Sequence, residues 1–180
     1  VSAIDPAVHA SKAALARSKV APASVEHVVM GNALQTSMDA LYGARHVGLK
    51  AGVPEGVPAL TVNRLCGSGI QSIVSGAQMI QLGEARAVLA GGMENMSQAP
   101  YVLYGARQGF PFGSAPQLLD SLYGALKDPY ADLFMAQTAE RIGKRLGISR
   151  AEQDAYALRS HELGAAAVKE SLNAVLPDGV

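Results

Sequence analysis

Residues 59–92 run from an apolar tetrad, "ALTV", through a glycine-bounded cysteine and a helical repeat, into a second apolar run, "ARAVLAGG". Strand, helix and strand within about 30 residues define a βαβ unit, right-handed by strong preference. "ARAVLAGG" carries no polar alternation, the pattern of a strand buried on both faces of a parallel sheet. Between the strands, Ile70, Ile73, Val74, Ala77 and Ile80 follow helical spacing and predict the core-facing stripe of a helix. Gly69 and Gly76 lie on a neighbouring strip, where another backbone could approach closely. Gly83 ends the helix, as a residue that accepts a left-handed backbone.

Upstream, Asp5 and Pro6 predict a helix entered through a capping Asp and a first-turn Pro. Val8, Ala14, Leu15 and Ala16 supply its apolar positions. "VEHVVMGN" then changes period: Val28, Val29 and Met30 predict a short buried strand closed by Gly31 and Asn32. In residues 39–51 Leu41, Ala44, Val47 and Ala51 share a helical stripe, and "GVPEGVP" breaks it.

From residue 93 to about 130 the chain turns to Met, Pro, Gly, Tyr and Phe. That mixture is too irregular for a sheet and reads as a surface excursion that carries function. Helices are expected over 135–147 and 150–172, the second capped by Ser149 with Glu152 at the capping-box position. No internal repeat is visible.

At 180 residues the chain can bury one sizeable core, or one core and a smaller unit. Hydrophobic residues make up 49 % and aromatics 5 %, with no Trp, so close-packed layers of small aliphatic side chains are expected in an α/β fold. The formal net charge is zero and no stretch concentrates Lys or Arg, which argues against nucleic acid or an anionic membrane as partner. One cysteine excludes a disulfide framework and a multi-cysteine zinc site, and His9, His27, His46 and His161 lack ligand spacing. No metal site is expected. A reducing compartment follows, the cytoplasm first and the mitochondrial matrix as the alternative. No run has the length of a transmembrane helix, and residues 1–20 lack a signal-peptide pattern. Asn95-Met96-Ser97 matches a glycosylation sequon, which needs export to be used.

Cys66 joins the end of a strand to the first turn of the helix, inside "VNRLCGSGIQ". Free N–H groups and the positive helix end face a side chain placed there. A free thiol is only a few per cent ionised at neutral pH. A helix end contributes about 0.3–1 kcal/mol, less than a factor of ten in thiolate, so a nucleophile here needs a further partner such as histidine. His27 on a strand and His46 on a helix read more simply as structural or exposed. Residue pattern alone leaves Cys66 open between a small buried thiol and a nucleophile. The neighbouring glycines match neither a dinucleotide fingerprint nor a P-loop.

"VNRLCGSGIQSIVSGAQMIQLGEARAVLAGGMENMSQAPYVL" resembles the nucleophile segment of the thiolases, acyltransferases that work on coenzyme A thioesters. "GISRAEQDAYALRSHELGAAAV" is similar to a second stretch of that family, and the resemblance runs from about residue 5 to the end. It implies the thiolase αβαβα layered fold, here an N-terminal half with a mixed, mostly parallel sheet and a helical loop domain. The implied division is 1–95 for the core half, its opening strand missing, and 96–180 for an incomplete loop domain with its following helices.

By the same resemblance Cys66 is the acyl acceptor, with its backbone N–H in an oxyanion hole. Met135 falls where the family lines the acyl pocket, and Leu126 where it packs against the coenzyme. Phe134 departs from members with His there, and "SLYGALKDPYADLFM" is closer to the fatty-acid-degrading branch. The resemblance implies acyl-CoA and CoA as substrates, no permanently bound cofactor, and a homo-oligomer, dimer or tetramer. The expected activity is thiolysis of 3-ketoacyl-CoA or the reverse Claisen condensation. The family's Asn-Glu-Ala-Phe, Gly-His-Pro and second Cys-x-Gly-x-Gly motifs do not occur here, so this chain alone is expected not to turn over. A non-catalytic half acting as an acyl-CoA binder, and a ketoacyl-synthase-like condensing enzyme, are the competing readings.

Overall fold

A computed structural model describes residues 1–170. The expected helical residues 171 and 172, and the end of the 96–180 segment, lie outside them. The chain divides into two compact units, residues 1–99 and 100–180, each taken in turn.

The first unit is organised by β1 (His27–Gly31). Its Val28, Val29 and Met30 are almost fully buried, because this strand is central: β2 (Ala59–Val62) pairs along one edge and β3 (Val88–Gly92) along the other, both parallel to it. The register places Val29 between Leu60 and Ala90. α1 (Ile4–Ser18) and α2 (Gly43–Ala51) contribute Ile4, Ala7, Leu15, Ala44, Val47 and Ala51 to a core shared with Val28 and Met30.

Two expectations change in these helices. α1 begins earlier than Asp5: Ile4 N–H is capped by Ser2 Oγ at 3.2 Å, and Asp5 sits in the first turn and pairs with Lys50 at 3.2 Å. Its buried stripe is Ile4, Ala7, Ser11 and Leu15, while Ala14 and Ala16 are exposed. Leu41 lies outside α2 in a 3-10 turn, Ala40–Tyr42, and points to solvent, whereas Ala44, Val47 and Ala51 are buried as read.

β3 also differs from expectation. Only Leu89 is buried along it, because it forms an edge of the described sheet rather than an inner strand.

The largest reversal concerns α3 (Ser68–Gln81). Its buried residues are Ser68, Ser72 and Gly76, and the stripe expected to face the core, Ile70, Ile73, Val74, Ala77 and Ile80, is exposed. Helix and sheet approach too closely for larger side chains. A Cβ on Gly76 would meet Val88 Cγ1 at 3.0 Å, and Ser72 Oγ lies 2.6 Å from Gly91 O and 2.7 Å from Gly69 O. Gly69, expected to allow a close approach, faces open space. The glycines that do so at this end are Gly31, where a Cβ would meet Ser68 C at 2.4 Å, and Gly92, at 3.5 Å from Gly69 Cα. Gly83 is left-handed as predicted, with φ 75°.

The second unit holds two short antiparallel pairs, β4 (Tyr101–Leu103) with β5 (Leu118–Asp120) and β6 (Lys127–Asp128) with β7 (Leu133–Phe134). The stretch read as too irregular for a sheet therefore carries local β-pairing, which Tyr101↔Asp120 registration makes possible across a long excursion. Among the described residues, α4 (Ser121–Ala125) separates the two pairs, and α5 (Met135–Leu146) and α6 (Arg150–Glu170) follow them. Asp120 caps α4 through the N–H groups of Leu122 and Tyr123. Ser149 and Glu152 form the predicted reciprocal cap of α6: Ser149 N–H donates to Glu152 Oε2 at 2.8 Å and Glu152 N–H to Ser149 Oγ at 3.3 Å. None of the described residues of this unit is buried.

Candidate active site

The chain leaves β2 at Val62 and must reverse within five residues to enter α3 at Ser68. It does so through Leu65, whose φ of 50° lies in the left-handed region. For a residue with a branched side chain this conformation costs about 1–2 kcal/mol, and such strain persists only where neighbours hold it. The holders are identifiable. Asn63 Oδ1 accepts from Leu65 N–H at 2.9 Å, an Asx turn; Ser68 Oγ donates to Leu65 O at 2.6 Å and accepts from Arg64 N–H at 2.9 Å.

The turn presents Cys66 as an exposed free thiol. Gly67 N–H bonds to Arg64 O at 3.1 Å and Ser68 N–H to Leu65 O at 3.0 Å. The hydrogen bonds of the turn thus use the N–H groups of Arg64, Leu65, Gly67 and Ser68, and none of them uses that of Cys66. The thiol lines an open depression of about 420 Å³ with Gly31, Ala33, Ser68, Met93, Glu94 and Met96. Its floor is glycine backbone, Gly31, Gly69 and Gly92, where the first turn of α3 rests on the ends of β1 and β3.

A polar brace adjoins the depression through Ala33, Met93 and Glu94. Asn32 is buried, and its Nδ2 is 2.9 Å from both Met93 O and Glu94 Oε1 and 3.1 Å from Leu34 O. Glu94 accepts from Ala33 N–H and Leu34 N–H, each at 2.9 Å. The sequence marks Asn32 only as the close of a strand and does not mark Glu94, because the two are polar positions 62 residues apart. An Asn two places before Leu65 was the one local signal, as an Asx-turn former.

None of the four histidines lines the Cys66 depression among the described residues. His46 stacks on Tyr42 at 5.2 Å between ring centroids, and the His27 ring nitrogen contacts Val28 O at 3.2 Å. The sequon residue Asn95 donates its side-chain amide to Val1 O at 2.7 Å. Among the described residues no group of three or more His, Cys, Asp or Glu is arranged to hold a metal ion, and no helix is long and apolar enough to cross a membrane.

Met135 and Leu126 belong to the second unit. The structure brings these two together: Met135 N–H donates to Leu126 O at 3.3 Å, directly beyond the β6–β7 pair, and both side chains are about half exposed. Phe134, which precedes Met135, donates its N–H to Gln137 Oε1 at 2.9 Å and so starts α5. Its ring lies 4.9 Å from that of Tyr123.

The parallel strand ends thus meet at a glycine-floored depression that exposes the Cys66 thiol, on a turn leading into a helix whose buried face is Ser68, Ser72 and Gly76. The model of the thiolase N-terminal domain matches residues 1–177, and the chain belongs to the thiolase family. It is 53 % identical over 161 residues to the human mitochondrial 3-ketoacyl-CoA thiolase, covering 89 % of this chain and 41 % of that protein. Identity to the beta-ketothiolase BktB of Cupriavidus necator is 49 % over 156 residues, covering 87 % and 39 %. Among solved structures, human mitochondrial 3-ketoacyl-CoA thiolase in complex with CoA superimposes with a TM-score of 0.89 at 51 % identity, over 94 % of this chain and 43 % of that one. The chain therefore spans about two fifths of the length of the relatives it matches, and its fold is the thiolase α/β fold.

Proposed function

We propose that the full-length protein carrying this chain is an acyltransferase that cleaves 3-ketoacyl-CoA with CoA, or runs the reverse condensation of acetyl-CoA, through an acyl-cysteine at Cys66. The observation that carries this reading is the exposed thiol on a strained strand-to-helix turn, in a chain half identical to proteins named 3-ketoacyl-CoA thiolase.

In the cleavage direction the Cys66 thiolate attacks the 3-keto carbon. The tetrahedral oxyanion is held by the Cys66 N–H and a second donor. Its collapse breaks the C2–C3 bond, leaving an acyl group on Sγ and releasing acetyl-CoA once C2 takes a proton from a general acid. The thiolate of CoA then attacks the acyl-thioester and restores free Cys66. The base that activates Cys66 and the acid that protonates C2 come from outside the Cys66 depression. Family resemblance assigns them to a histidine and a second cysteine in motifs absent from these 180 residues. Cys66 in this chain alone is acylated slowly at most and does not turn over.

CoA and acyl-CoA are the ligands in this reading, with no resident cofactor. Met135 lines the acyl pocket and Leu126 meets the coenzyme; their adjacency in one structural unit supports a shared ligand role. The working assembly is a homo-oligomer. Division near residue 95 into core half and loop domain is the accompanying domain proposal. The compartment is a reducing one, cytoplasm or mitochondrial matrix; relatives named as mitochondrial favour the second.

A second reading, a non-catalytic half that binds acyl-CoA or serves assembly, draws on two observations: the uncovered apolar face of α3 and a second unit without buried residues. Intact-mass measurement after incubation with acetyl-CoA separates the two. The acyltransferase reading expects a single acetyl adduct on the full-length protein that disappears in Cys66→Ala. An adduct persisting in that variant, or none in the wild type, sinks it.

A further inference from the structure

We propose that Glu94 is a positioning residue for Cys66, acting through the loop after β1 and through Asn63. The connection is a continuous hydrogen-bonded chain. Glu94 holds Ala33 N–H and Leu34 N–H with separate oxygens, each at 2.9 Å, and Oε1 also takes Asn32 Nδ2 at 2.9 Å. The carbonyl of the same Ala33 accepts from Asn63 Nδ2 at 3.1 Å, and Asn63 Oδ1 accepts from Leu65 N–H at 2.9 Å. Leu65 is the left-handed residue that precedes Cys66.

Each link pairs a donor with a matched acceptor. A carboxylate accepts and never donates, so it matches two adjacent N–H groups, and such charge-assisted bonds are the stronger kind. With Ala33 so held, its carbonyl faces Asn63 and orients that amide, whose oxygen is then aimed at Leu65 N–H. Asn32, buried with three acceptors around Nδ2, anchors the same loop to the end of β3. The ends of all three strands and the strained turn are thereby coupled. Without Glu94 the loop loses both N–H partners, Asn63 loses its fixed acceptor, and Leu65 is released toward ordinary backbone angles. Cys66 Sγ then moves off the line of attack, for which misplacement by about 1 Å costs up to about 100-fold in rate. Glu94 lines the Cys66 depression but its role runs through the backbone.

This inference rests on Cys66 being the acylated nucleophile. The test is rapid-quench intact-mass measurement of Cys66 acylation by acetyl-CoA in the full-length protein, comparing wild type, Glu94→Gln, Asn63→Ala, their double variant and Cys66→Ala. Expected are about tenfold slower acylation in each single positioning variant and a double variant no slower than the worse single, since both cut one chain. The acetyl-CoA concentration at half-maximal rate should stay within about twofold, which a general loss of structure would not preserve. Acylation of Glu94→Gln at the wild-type rate, or multiplication of the two effects in the double variant, overturns the role of Glu94. If Glu94→Gln does not fold, Asn63→Ala alone decides: a wild-type rate there breaks the chain. An adduct surviving in Cys66→Ala overturns the nucleophile reading instead, so the two failures are distinct.

Discussion

Gly31, the last residue of β1, lies against the backbone of Ser68 at the start of α3: a Cβ at position 31 would stand 2.4 Å from Ser68 C and 2.5 Å from Ser68 O. No side-chain rotation relieves a clash with backbone. Gly31→Ala must push α3 off the sheet or tilt its first turn, and the Cys66 turn moves with it.

The expected cost of Gly31→Ala is about 1–3 kcal/mol or more. Gly69→Ala, next to Ser68 in the first turn of α3, should cost little or stabilise by up to about 1 kcal/mol, because a Cβ there meets nothing within 4 Å. Urea unfolding of both variants checks the contrast. Equal destabilisation would contradict the packing described.

Ser72 is completely buried and its Oγ bridges Gly69 O and Gly91 O. Replacement by Ala removes a side-chain donor from Gly91 O and Gly69 O, with an expected loss of about 0.5–1.5 kcal/mol. Thermal melting is the measurement, and an unchanged Tm would show that solvent reaches that carbonyl.

Ile70 and Ile73 face solvent from α3, 69 % and 55 % exposed. Lys at both positions should leave the stability of this chain within about 0.5 kcal/mol while reducing concentration-dependent association, as a broken apolar patch does. Light scattering over a concentration series reads the second effect and chemical denaturation the first. Strong destabilisation would place these side chains in a core.

Glu152 titrates below its ordinary value of 4.5, chiefly because its carboxylate accepts the Ser149 N–H and then the Ser149 hydroxyl. A lowered carboxylate pKa in the folded state means stability that is present above the ordinary value and is lost as pH falls through the folded one. The start of α6 should therefore fray below about pH 4.5 in the wild type. Glu152→Gln should show weaker protection at neutral pH and no such acid step. Amide exchange at Ser149 and the following turn measures both.

Local rules sufficed at several places where a residue's partners are close in sequence. Ser149 and Glu152 cap α6 as three-residue spacing requires, Gly83 takes the left-handed backbone that ends α3, and the runs at Val28–Met30 and "ALTV" are strands. Cys66 was legible as a candidate because strand, glycine and helix signals converge on it. Sequence resemblance supplied the family.

Tertiary structure decided which face of α3 is buried. Spacing identifies the stripe Ile70, Ile73, Val74, Ala77 and Ile80, but periodicity measures only that a face exists, not how near its neighbour lies. The sheet comes so close at Gly31, Val88 and Gly91 that only Ser68, Ser72 and Gly76 fit between. Only the folded chain joins Glu94 to Asn63 and the strained Leu65, because those bonds span residues 60 and 30 apart. Hydrogen-bond geometry between distant loops leaves no period in a sequence, so the chain's own pattern named the cysteine while the packing of strand ends determined how it is held.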